Sequence, residues 1–131
     1  MKITGLGHAS VLIETAHGSI LTDPWVNPAY FGSWFPFPDN SQLDWDRFGT
    51  ADYLFVSHLH RDHFDAEHLR RHVSKRATVL LPEFPTTELE DQLRECGFTS
   101  FVTPATRKSQ ATPRLCGLLV LPFLRAIFGA R

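Results

Sequence analysis

Three histidines and an aspartate fall within one six-residue stretch, His58-Leu59-His60-Arg61-Asp62-His63. Imidazole nitrogens and carboxylate oxygens are the ordinary donors to zinc and its neighbours. His58 and His60 stand two apart, so in an extended backbone both side chains point to one side and can share an ion. Asp62 and His63 follow where the chain turns toward a helix, which lets them aim at a second ion beside the first. Two divalent ions a few ångströms apart clamp a bridging water and lower its pKa, giving a nucleophile at neutral pH. The structural alternative is a solvent-exposed histidine cluster, or a helix start capped by Asp62. Other polar residues carry less. Ser10 and Ser57 have no evident histidine–acid relay, so a serine hydrolase is poorly supported. His17 falls in a turn. His68 and His72 lie four apart on one helix face and, with no carboxylate partner nearby in sequence, read as surface residues.

The surrounding elements must bring this stretch to the end of a strand. Asp52-Tyr53-Leu54-Phe55-Val56-Ser57 predicts a buried strand running directly into the histidines, and catalytic groups gather where strands give way to loops. Asp65 to Val73 predicts a helix with Phe64, Leu69 and Val73 inward. Thr78 to Leu81 predicts a strand. A helix capped by Thr86 or Thr87 then runs through Leu89, Leu93 and Cys96 and stops at Gly97. Phe101-Val102-Thr103 closes this series as a further strand. Upstream, residues 2–6, 10–14 and 19–22 predict an antiparallel meander that turns at His17-Gly18 and stops at Asp23-Pro24. Residues 24–50 read as one long loop with Pro24, Pro28, Pro36 and Pro38 and the aromatics Trp25, Tyr30, Phe31, Trp34, Phe35 and Phe37. Loops of that length are usually functional, and the aromatics either line a pocket or cap the core. The order of elements indicates a mixed α/β (α+β) layer architecture. Thr106 to Pro113 reads as loop. Leu115 to Leu124 reads as a strand, although Pro122 argues against a central position.

Composition narrows the classes of function. The 131 residues suffice for one domain and one core. Thirteen basic residues against fourteen acidic ones leave a net charge of -1, which offers no grip on nucleic acid or anionic lipid. The short basic group Arg70, Arg71, Lys75 and Arg76 reads as a solvated helix face. Two cysteines, Cys96 and Cys116, are too few for a disulfide scaffold and read as small buried residues in a reducing cytoplasm. The N-terminus runs straight into a strand without the apolar region of a signal peptide. Leu115 to Phe128 is interrupted by Gly117, Pro122 and Arg125 and falls short of a membrane span. The expectation is a cytoplasmic protein acting on a small molecule, with neither nucleic acid nor membrane as partner.

A His-x-His-x-Asp-His motif closing a buried apolar strand resembles the signature of the metallo-β-lactamase superfamily. Gly7-His8-Ala9-Ser10-Val11-Leu12-Ile13-Glu14 and Ile20-Leu21-Thr22-Asp23-Pro24-Trp25 resemble the branch holding ascorbate-6-phosphate lactonase-like proteins. With Pro28-Ala29-Tyr30-Phe31-Gly32 and Ser57-His58 they also resemble the β-lactamase-like part of CMP-N-acetylneuraminate hydroxylase. The resemblance covers roughly residues 1–100. It implies half of a four-layer αββα sandwich with two divalent ions at one edge, zinc first and manganese or iron acceptable. His58 and His60 would serve the first ion, Asp62 and His63 the second. Asp62 and His8 are the candidate catalytic residues. His8 touches substrate or a bound water, or is an ordinary turn histidine. Asp23 orients a ligand histidine, or caps the turn before Pro24.

The family pattern needs further histidine and aspartate ligands downstream, but no histidine follows His72 and no aspartate follows Asp91. Residues 1–105 therefore read as a partial domain and residues 106–131 as an atypical tail. A truncated product or altered reading frame is the favoured explanation, and completion by another chain is the alternative. Half a sandwich exposes a sheet face and invites self-association. Three functions follow: a hydrolase of ester, lactone or phosphoester bonds, a non-catalytic metal-binding fragment, or a remnant of a sialic-acid-hydroxylase-like oxygenase. The last needs a Rieske cluster with two cysteine and two histidine ligands, and neither cysteine has a histidine near it.

Overall fold

Alternating apolar residues at the start of the chain build three strands, β1 (Lys2–Gly7), β2 (Ser10–Thr15) and β3 (Gly18–Thr22). The computed structural model describes residues 1–103. Cys116, the loop of residues 106–113, the strand of residues 115–124 and the tail of residues 106–131 lie outside them. β1, β2 and β3 pair antiparallel, as a meander must. Parallel strands β4 (Tyr53–Phe55), β5 (Thr78–Leu80) and β6 (Phe101–Val102) then extend the sheet in sequence order. Each needs a crossover, because a parallel partner must re-enter from the same end. α2 (Ala66–His72) and α3 (Glu88–Glu95) supply two of these crossovers. The result is a mixed α/β arrangement with a six-stranded sheet.

The strand pleat decides what each sheet face meets. Leu12, Leu21, Leu54, Val79 and Phe101 stand in register across one face. There they form one core with Leu69 and Val73, with Leu89 and Leu93, and with Phe98 and Trp45. Full burial of each such leucine contributes roughly 2 kcal/mol. On the other face Ile3, Ile13, Ile20 and Tyr53 form one row, and Val11, Thr22, Phe55, Leu80 and Val102 a second.

Five details refine or correct the sequence expectation. β4 stops at Phe55, short of Ser57. Its partner β3 has already ended at Thr22, and Asp23 takes the Ser57 amide onto its side chain at 2.7 Å. The segment of residues 24–50 contains a short helix, α1 (Trp45–Phe48), capped by the Asp44 carboxylate on the Arg47 amide. Its aromatics divide: Trp25 and Trp45 are buried, whereas Phe31, Trp34, Phe35 and Phe37 are exposed. Finally, His68 is no surface residue. It is 3% exposed and meets the Trp45 ring edge-on at 4.5 Å. Its Nε2 has no hydrogen-bond partner, and burial pushes its pKa down to about 4. His72 is exposed but has a carboxylate after all, Asp46 at 2.9 Å, contributed by α1. Among the described residues, no helix is long and apolar enough to cross a membrane.

Candidate metal centre

The topology gathers three chain segments at one end of the sheet. β1, β3 and β4 run in the same direction, so the residues after each of them leave the sheet on the same side. These are Gly7-His8, Asp23 and the segment from Ser57 to His63. Strand carboxyl ends are where open α/β sheets take their ligands. Gly7 has φ 106°, and a side chain there would meet the Pro38 carbonyl oxygen and Asn40. That turn lets His8, itself at φ 51°, lean over the end of the sheet. Asp23 follows at φ 38°. Such left-handed backbone is uncommon outside glycine and occurs preferentially where surroundings over-determine it, as at functional sites.

The loop after β3 is held from below. Buried Ser10 donates to the Asp23 carbonyl at 2.5 Å and accepts the Trp25 amide at 3.2 Å. Buried Asn40 donates to the carbonyls of Leu6 and Trp25 at 2.8 and 2.9 Å. Asp65 caps α2 and also accepts the amides of Val26 and Asn27 at 3.1 and 2.8 Å.

Asp23 orders the protons of the histidines. A carboxylate only accepts, so Ser57 Oγ must donate to Asp23 Oδ2 across 2.9 Å, and His63 Nδ1–H must donate to the same oxygen across 3.0 Å. With its proton committed, Ser57 Oγ accepts from His58 Nδ1–H at 2.8 Å. Both imidazoles thereby carry hydrogen on Nδ1 and keep an Nε2 lone pair for a metal. Ser57 is equally removed from nucleophilic duty, because its hydroxyl points at the acid and not at a basic imidazole nitrogen. Burial, followed by neighbouring His63 and His60, holds the His58 pKa below its ordinary value. That favours the neutral form that can ligate.

Asp62 is the hub. Its Oδ2 lies 3.1 Å from His8 Nε2 and 3.4 Å from His63 Nε2, and its Oδ1 accepts the Tyr30 hydroxyl at 3.1 Å. Burial opposes its ionisation, but its own backbone amide, the Tyr30 hydroxyl, His63 and His8 outweigh that and hold its pKa below the ordinary carboxylate value. The same bond and burial raise the Tyr30 pKa, burial first. The helix cap is Asp65, so Asp62 is not occupied in capping.

One donor atom each from His8, Asp62 and His63 lie within 4.8 Å of one another, the only such group of three among the described residues. Two neutral-nitrogen donors and one carboxylate oxygen suit zinc and equally suit manganese or iron. The expected pairing of Asp62 with His63 is present, with His8 as their third companion. His58 and His60 come together as expected, ring centroids 4.4 Å apart, and His58 lies 4.2 Å from the His63 ring. Among the described residues no third donor joins His58 and His60. Tyr30, Ser57 and Asp65 escaped the sequence reading as site residues. Only Asp65 carried a signal, an acid immediately before a helical pattern.

Comparison with known proteins bears on this geometry. The family model described as Beta-lactamase superfamily domain matches residues 2–113. A protein of Mycolicibacterium smegmatis, provisionally named a Rieske 2Fe-2S iron-sulfur protein, is 65% identical over 101 residues, covering 77% of this chain and 20% of its own length. The cytidine monophosphate-N-acetylneuraminic acid hydroxylase of Asterias rubens is 36% identical over 67 residues, 50% of this chain and 10% of its own. The solved isothiocyanate hydrolase from Delia radicum gut bacteria superposes with a TM-score of 0.58 at 23% identity, covering 80% of this chain and 42% of its own. The chain thus spans about a fifth or less of these curated relatives.

Proposed function

The chain belongs to the metallo-β-lactamase superfamily, and on that premise we propose that it serves a metal-dependent hydrolase of ester, lactone or phosphoester bonds in a small molecule. The observation that carries this reading is the convergence of His8, Asp62 and His63 on one small volume. His63 and Asp62 would hold one divalent ion with His8, and His58 and His60 would contribute to a neighbouring one. Zinc is the favoured ion. When bound, such ions lower the pKa of a coordinated water and polarise the bond under attack. The chain's own residues prepare for that. Asp23 and Ser57 fix the tautomers of His63 and His58, and Asp62 Oδ2 accepts from His8 while facing the free Nε2 lone pair of His63 at 3.4 Å. The low cysteine count motivates a cytoplasmic location as part of the same proposal.

Elemental analysis of the purified chain, before and after chelation and beside His63→Ala, tests the reading. Stoichiometric metal lost in the variant supports it. Metal at trace level in both, or metal unaffected by the substitution, overturns it. Turnover of a panel of esters, lactones and phosphodiesters then separates a hydrolase from a non-catalytic metal-binding fragment, for which the panel stays untouched. The 65%-identical relative favours a second reading, in which this domain accompanies a Rieske cluster in a longer protein. The chain's two cysteines have no adjacent histidines. On this reading the cluster's ligands lie outside the matched region, and the chain alone is expected to show no iron–sulfur absorbance.

A further inference from the structure

We propose that Tyr30 is a positioning residue for Asp62, fixing which carboxylate oxygen faces the histidines and thereby setting how tightly the centre holds a divalent ion. The proposal rests on the metal-centre reading above. Tyr30 donates its hydroxyl to Asp62 Oδ1 at 3.1 Å, while Oδ2 faces His8 Nε2 at 3.1 Å and His63 Nε2 at 3.4 Å. The two oxygens have separate occupations. A carboxylate anchored through one oxygen presents the other as a single-point ligand, and it cannot rotate without breaking the phenol bond. Outer hydrogen bonds of this kind orient a ligand and tune its basicity.

The position of the phenol is itself built by the fold. Tyr30, Phe31 and Gly32 are three successive left-handed residues, at φ 48°, 59° and 76°. Two of them are aromatic, so the turn is held against backbone preference. Gly32 N–H bonds the Ala29 carbonyl at 3.1 Å, and the Tyr30 carbonyl accepts the Ser33 hydroxyl at 2.6 Å. The amides of Ala29 and Trp34 exchange hydrogen bonds with each other's carbonyls at 3.0 and 3.2 Å, which closes the turn. The root of the loop is fixed by Asp65, whose carboxylate takes the Val26 and Asn27 amides and the Asn27 side chain. Asp65 lies three residues after Asp62. The turn that presents Asp62 therefore also holds the loop that brings Tyr30 back to it. This closed circuit leaves the hydroxyl little freedom to sit elsewhere.

Tyr30→Phe removes one oxygen from an exposed ring and leaves the aromatic contact with Trp34 in place. Zinc and cobalt affinities of the unsubstituted chain and of this variant are measured by competition with a chromophoric chelator, together with the visible spectrum of the cobalt-loaded protein and the unfolding temperature of the metal-free one. The result expected is a loss of metal affinity of about tenfold or more and an altered cobalt spectrum, with the metal-free unfolding temperature unchanged. Equal affinities and superimposable spectra overturn the proposal while leaving the metal centre standing. Failure of the unsubstituted chain to bind either ion overturns the metal-centre reading first, and this proposal with it.

Discussion

Asp23 links the backbone to the histidine protons, and its chemistry makes a sharp prediction. Its Oδ1 accepts the Ser57 amide, and its Oδ2 accepts the Ser57 hydroxyl and His63 Nδ1–H. In Asp23→Asn, either orientation of the amide sets an NH2 group against a donor. If that donor is His63 Nδ1–H, the imidazole changes tautomer and gives up the Nε2 lone pair. Metal affinity is therefore expected to fall about 10–100-fold, read by chelator competition, with little change in side-chain volume. A variant that binds metal as before would show that the tautomer is fixed by something other than this carboxylate. At this scale much was legible. His8, Asp23, His58, His60, Asp62 and His63 all stand out as residue types, and the structure brings them to one end of the sheet. Tyr30 did not stand out, because a tyrosine within a run of aromatics has no local property that marks which one reaches the Asp62 carboxylate.

The elements make two further predictions. Gly49 follows α1 with an ordinary φ of −68°, yet a side chain there would collide with the His72 carbonyl at the end of α2. The Ser74 amide bonds the Gly49 carbonyl at 2.8 Å, which keeps the two helix ends pressed together. Gly49→Ala is expected to cost stability at or above the upper end of the roughly 1–3 kcal/mol range for overpacking, measured by urea unfolding. A loss under about 0.5 kcal/mol would mean that the helix ends separate freely. On the buried face of α2, His68 has a folded pKa of about 4 against an ordinary 6.5. Its neutral form is the one that fits, so protons favour the unfolded chain. Its contribution is intact above pH 6.5 and is lost as pH falls toward 4, a decline of about 3 kcal/mol at most. Urea unfolding across that window checks it, and His68→Asn should flatten the slope. An equal slope in that variant would assign the acid sensitivity to other groups. The strands and the two longer helices were legible because apolar spacing and caps persist over several residues. α1 was not, because a helix of four residues offers barely one turn of pattern.

For the whole molecule, one sheet face carries the three-helix core and the other carries Ile3, Val11, Ile13, Ile20, Tyr53, Phe55, Leu80 and Val102, of which Ile13, Ile20 and Leu80 are already buried within the chain. Ile3 and Val102 are 61% and 47% exposed. Burial of such area is the driving force for association, and self-association of this chain through that face is the proposal that follows. Sedimentation velocity over a range of concentrations is expected to show larger species that Ile3→Lys with Val102→Lys diminishes. A single species at every concentration, the same in the double variant, would remove the idea.

Residue type and spacing by themselves determined the cluster of candidate ligands and the strand that leads to it, because donor chemistry and apolar periodicity are local properties of the chain, and the resemblance of its motifs to a known family pointed to the superfamily. Only the tertiary structure decided that His8 joins Asp62 and His63, and that Asp23 serves His63 across 40 residues of sequence. It also decided that His68 lies in the core and that Tyr30 fixes one oxygen of Asp62. The gathering of His8 and Asp23 with Asp62 and His63 depends on β1, β3 and β4 running in the same direction, so that segments distant in sequence leave the sheet side by side. Strand direction and pairing are set by the packing of the whole sheet, which no short stretch of residues encodes.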